Sequence, residues 1–123
     1  MKACIYVGLG GCIGAILRYL LSSIPFKGSF PVMTFLINIV GAFLIGAVVG
    51  IAGKYQSFPT ELTLFLKTGV CGGFTTFSTF SLETLTLFEK KEYVLGAGYA
   101  ALSVILCVLG VWLGQMAVKN LPV

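Results

Sequence analysis

Ten consecutive residues, Gly72 to Ser81, read GGFTTFSTFS inside an otherwise apolar stretch. Five of them carry hydroxyls, Thr75, Thr76, Ser78, Thr79 and Ser81, and they follow two adjacent glycines. These groups are not acids or bases, so the chemistry they offer is the non-covalent coordination of an ion. A helix loosened at Gly72 through Thr75 would release carbonyls, hard oxygen ligands suited to a small cation such as Na⁺. A water-bridged kink without an ion is the other reading of the same break. Phe77 and Phe80 stand three apart, hence on one helix face, and phenyl ring edges carry partial positive charge. Two such edges can stabilise a small desolvated anion without gripping it, the balance that conduction requires. Packing is the more common task of a phenylalanine.

Six further positions could join this chemistry. Asn38 is alone in an apolar segment, where its amide serves either as glue between helices or as an anion ligand. Tyr99, Ser103 and Cys107 recur at steps of four and form a weakly polar stripe, although hydroxyls within a helix often satisfy themselves. Arg18, near a segment end, either snorkels to headgroups or draws anions into a vestibule. Glu83 is the one acid well inside a span, one turn past Phe80, and fits a place toward the mouth of a path.

The elements that must position these residues are membrane helices. The chain of 123 residues is 58% hydrophobic and 10% charged, with a mean hydropathy of +1.03, far from the soluble globular range. Windows of about 20 apolar residues, enough to cross the hydrocarbon core, fall at 3–24, 32–53, 60–88 and 94–118. The expected fold is therefore all-α, a single four-helix transmembrane unit over residues 1–123 whose third helix is broken mid-membrane. Pro25, Lys27, Gly28 and Pro31 punctuate the first connection, 54–59 the second and 89–92 the third. The first segment is read as a retained span, because no small-x-small cleavage site follows it.

Composition also excludes function classes. The chain has no His and only four acids, Glu61, Glu83, Glu89 and Glu92, which removes the usual zinc ligand sets and most acid–base or nucleophilic constellations. An enzyme is not expected. The net charge of +4 comes from eight scattered Lys and Arg rather than a basic face, so nucleic acid is not an expected partner. Cys4, Cys12, Cys71 and Cys107 lie in apolar stretches without CxxC spacing and read as small buried hydrophobes. Gly10 with Gly14, Gly46 with Gly50 and Gly110 with Gly114 form small-xxx-small pairs suited to close helix packing.

Charge leaves orientation undecided. Lys2, Lys54 and Lys119 belong to one side and Lys27, Lys90 and Lys91 to the other, and adding Arg18 and Lys67 gives four against four. The positive-inside rule then selects neither orientation. Four short helices do not readily enclose a polar path, so a second copy is expected. Two oppositely inserted copies would cross their broken helices at mid-membrane, like the inverted repeats of transporters.

GGCIGAILRY at Gly10–Tyr19, Asn38 followed by Gly41, and GVCGGFTTFSTFS at Gly69–Ser81 together resemble the Fluc (CrcB) fluoride channels. The resemblance covers essentially the whole chain. It implies a homodimer of oppositely oriented subunits in the bacterial plasma or inner membrane, exporting toxic fluoride passively through two pores. It further implies that Phe77, Phe80, Asn38, Ser78, Thr79, Ser103 and Tyr99 line the fluoride path and that Arg18 stands near its aqueous entrance. A central structural Na⁺, not transported, would be held by the carbonyls of Gly72 and Thr75. Cys107 departs from the hydroxyl expected there, and a thiol is a weak donor. The rival readings are a small multidrug-type proton antiporter that uses Glu83 as its membrane carboxylate, and a non-conducting accessory subunit held by glycine packing.

Overall fold

The computed structural model describes residues 1–121. Apolar runs without internal proline become helices, and every long interruption coincides with proline, glycine or charge. The helix α1 (Lys2–Ser22) ends where Ser23 turns its hydroxyl back onto the Tyr19 carbonyl at 2.8 Å. The connection that follows includes Pro25, Gly28 at φ 139° and Pro31. A positive φ of that size suits glycine alone, and α2 (Val32–Lys54) starts directly after Pro31. The fourth span, α6 (Tyr93–Lys119), is also continuous. These three helices are long and apolar enough to cross a membrane.

The third span is assembled from pieces. A short α3 (Thr60–Thr63) runs into a π-helical segment (Leu64–Cys71) and then α4 (Gly72–Phe74), after which α5 (Phe77–Glu89) starts anew. None of these pieces reaches the roughly 20 residues of a crossing alone. No strand occurs among the described residues, so the fold is all-helical, with three continuous apolar helices and a third helical segment interrupted at Thr75–Thr76.

Packing divides the molecule into two helix pairs. The first, α2 with α6, meets through glycines. A methyl group on Gly46 would run into the Val111 carbonyl, and one on Gly114 into the Phe43 carbonyl and, at 2.8 Å, the Ala47 nitrogen. Backbones this close gain dispersion contact where lipid gives helices no hydrophobic reason to associate. Lys54 closes the far end of the pair, donating to the carbonyls of Val118 (3.2 Å), Lys119 and Leu121 beyond the last turn of α6. A cation there satisfies orphan carbonyls and complements the helix dipole.

The second pair sets α1 against the π-helical segment and α4. Gly14 faces the Val70 carbonyl, and a methyl on Gly69 would lie 2.8 Å from the Gly10 Cα. The small buried cluster of Phe80, Leu87 and Tyr99 joins α5 to α6. Phe30 reaches into it edge-on, 5.4 Å from the Tyr99 ring, which ties the first connection to the helices beneath.

Candidate functional site

The break lies at Thr75 and Thr76, both extended, with φ, ψ of −81°, 158° and −149°, 113°. The sequence reading loosens the helix from Gly72 onward, yet Gly72 and Gly73 are helical. The difference has a packing cause. A Cβ at Gly73 would sit 2.5 Å from the Gly11 carbonyl oxygen and 3.1 Å from the Ala15 nitrogen, so this glycine is spent on contact with α1.

What opens the helix is a side chain from another span. Asn38 Nδ2 donates to the Thr76 carbonyl at 3.1 Å, and the Thr76 N–H donates to Asn38 Oδ1 at 2.8 Å. The amide thus replaces both backbone partners of one residue. In a continuous helix the Thr76 N–H would bond the Gly72 carbonyl, so Asn38 releases that oxygen. Arg18 deals with the next one, its Nε donating to the Gly73 carbonyl at 3.1 Å. Half-buried Arg18 therefore anchors the end of α4, and a cation there suits the helix dipole.

On the far side of the break, Thr76 caps α5. Its Oγ1 accepts from the Thr79 N–H at 3.2 Å and donates to Thr79 Oγ1 at 3.0 Å, while Ser78 Oγ lies 3.4 Å away. A threonine at this position satisfies an orphan donor of the first turn. Ser81 turns its hydroxyl onto the Phe77 carbonyl and is satisfied within the helix.

A cavity of about 400 Å³ adjoins the break, with Asn38, Gly72, Thr75, Phe77, Phe80 and Ser103 among its lining residues. The Phe77 and Phe80 rings are 5.4 Å apart and tilted by 46°. They differ sharply in environment, Phe80 being buried and Phe77 78% exposed. Ser103 is only 6% exposed and its Oγ has no hydrogen-bond partner among the described residues. Such an orphan hydroxyl costs free energy unless it finds a partner. Cys107 lines the same cavity.

Tyr99 is placed differently from its stripe mates. It is fully buried, and its hydroxyl donates to Glu83 Oε2 at 2.7 Å. The other carboxylate oxygen accepts from Thr34 Oγ1 at 2.8 Å. Thr34 is a site residue that the sequence reading did not single out. The available signal was its spacing, since Thr34 and Asn38 are four apart and share one face of α2.

Residues 5–115 match the family described as CrcB-like protein, Camphor Resistance (CrcB). The chain belongs to this family. Relatives named "Fluoride-specific ion channel FluC" are similar over nearly its full length. The one from Ruminiclostridium cellulolyticum is 45% identical over 118 residues, 94% of this chain and 91% of the relative. The one from Flavobacterium psychrophilum is 40% identical over 124 residues, 98% of this chain and all of the relative. The one from Methanococcus maripaludis is 42% identical over 118 residues, 95% of this chain and 96% of the relative. CrcB membership and the three apolar spans make this a multi-pass membrane protein of an ion-channel family, not of an enzyme class.

Proposed function

We propose that the chain is one subunit of a fluoride-selective channel that lets toxic fluoride leave the cytoplasm passively. The observation that carries this is the interruption at Thr75–Thr76, held open by Asn38 at the wall of a cavity that includes Phe77, Phe80 and the unpaired Ser103 hydroxyl. The names of the relatives supply the ion. A small anion stripped of water needs donors that do not bind too tightly, and a hydroxyl with two ring edges meets that need. The amide of Asn38 stands in the same wall, with one of its two N–H donors committed to Thr76. Ser78, Thr79 and Tyr99 extend the polar track in this reading, and Arg18 marks its entrance.

A homodimer of oppositely oriented copies completes the path. The support is the exposed Phe77 ring and the open cavity beside it, both of which call for a cover, together with the balanced charge. A structural Na⁺ fits the same picture. The Gly72 carbonyl has lost its helical donor, Gly72 and Thr75 both line the cavity, and two carbonyls from each of two copies would give a hard cation four oxygen ligands. Bound there, the ion would supply positive charge that locks the crossing helices. The whole of residues 1–123 then acts as one channel-forming unit. The antiporter alternative is not adopted, because Glu83 is tied to two hydroxyls and the relatives carry channel names.

Fluoride efflux from loaded liposomes tests this reading. Purified wild-type protein should release fluoride down its gradient, faster with Na⁺ present, and Phe80→Ile should abolish the release. Uptake of organic cations driven by a proton gradient, with no fluoride flux, would replace the channel by an antiporter.

A further inference from the structure

A row of four aromatic rings leads from the break to the first connection. The Phe77 and Phe80 centroids are 5.4 Å apart, Phe80 and Tyr99 follow at 5.2 Å with a tilt of 56°, and Tyr99 meets Phe30 at 5.4 Å and 80°. Phe77 and Phe80 belong to α5 and Tyr99 to α6, whereas Phe30 belongs to no helix and is delivered by the connection 23–31. Phe35, on α2, braces this end of the row, 5.3 Å from Phe30 and 6.3 Å from Tyr99.

A loop side chain can hold a ring in place only where its own backbone is fixed, and both neighbours of Phe30 are tied. The Ser29 hydroxyl donates to Glu92 Oε1 at 3.2 Å, which joins this connection to the turn after α5. Pro31 has φ −77° and ψ 67°, and the Val32 N–H donates to the Phe30 carbonyl at 2.8 Å. Those values are an inverse γ-turn, and the proline ring removes most of the freedom in φ. Phe30 is thus set at the entry to α2, half-buried against the cluster of Phe80, Leu87 and Tyr99. Phe26, four residues earlier in the same connection, is 60% exposed and takes no part in this row of rings.

Tyr99 is restrained at two points. Its hydroxyl is held by Glu83 at 2.7 Å, a bond that fixes the tip of the ring but not its tilt. The edge-to-face contact with Phe30 supplies the second restraint. Phe80 in turn rests on Tyr99 and lines the cavity beside the break. We propose that Phe30 is a positioning residue for anion conduction, fixing the tilt of Tyr99 and through it the direction in which Phe80 presents its ring to the path. The proposal rests on the channel reading above, in which ring edges stabilise the anion. A phenyl ring is positive at its edge and negative on its face, so a change of tilt weakens the anion's hold without changing which residues line the cavity. One edge-to-face pair favours its ring arrangement by about three- to tenfold.

The test is initial fluoride efflux from liposomes, compared at equal amounts of folded protein. Phe30→Leu and Phe30→Ile keep apolar bulk and remove the ring, and each should slow efflux about three- to tenfold. Phe26→Leu, the same exchange in the same connection, should match wild type. Phe30→Leu combined with Tyr99→Phe should lose more than the product of the two single losses, because two restraints on one ring substitute for each other. Wild-type efflux in both Phe30 variants would overturn the proposal. Equal losses in Phe26→Leu and Phe30→Leu would also overturn it, since the effect would then belong to the connection as a whole. So would losses that only multiply in the double variant, which would show that Phe30 does not act through Tyr99. Wild type without fluoride flux would overturn the channel reading itself, and this proposal with it.

Discussion

The α2–α6 contact and the break in the third helical segment are held by opposite means. Where α2 meets α6, the contact depends on atoms that are absent, since Gly46 and Gly114 leave room for facing carbonyls. Where the third span breaks, it depends on atoms that are present, since the Asn38 amide and the Arg18 guanidinium take the backbone groups that the break sets free. The first kind of contact fails when something is added and the second when something is removed. Rigid walls and an open, polar interruption are thus built within one small chain.

Asn38→Leu should have the largest effect. It leaves the Thr76 N–H and C=O without partners, at about 1–3 kcal/mol for each group. Fluoride flux should vanish and the melting temperature in detergent should fall, whereas Asn38→Gln should retain part of both. Equal flux in Asn38→Leu and wild type would show that the break does not need the clamp.

Gly114→Ala should come next. Its methyl meets backbone, which cannot swing aside, so overpacking should cost about 1–3 kcal/mol. Thermal unfolding of purified protein reads this directly. A neutral result would mean that α2 and α6 slide apart without loss, and the contrast between the glycine contact and the clamped break would disappear.

These two expectations show what the sequence makes legible. Asn38 stands out as a lone amide in an apolar helix, but its partner lies 38 positions away and no local pattern names Thr76. The glycine pairs follow from spacing because a small-xxx-small repeat means the same thing in most membrane helices. Gly73 misleads for the same reason. Glycine loosens helices in water, while here it is consumed by contact with α1, so the extended residues are the threonines two positions on. Tyr99 falls on the expected period with Ser103, yet period alone does not say that its hydroxyl reaches Glu83 from within the core. The three continuous apolar helices are plain in hydropathy, whereas the π-helical course of Leu64–Cys71 left no mark in the sequence that we can name.

The smallest effect concerns the turn after α5. Lys91 holds a left-handed conformation that glycine adopts without strain. Lys91→Gly should raise stability by about 0.5–1 kcal/mol and leave fluoride flux unchanged. A drop in stability would show that the lysine side chain offsets the strain through contacts of its own.

The Asn38 clamp carries a consequence for biogenesis. Because the amide that opens the third span belongs to the second, the deformation and the docking are a single thermodynamic event. An isolated 60–89 segment leaving the translocon lacks that incentive to unwind. The defect that makes the protein useful is therefore conferred by a neighbour, and it can exist only in a chain that has already found its tertiary arrangement.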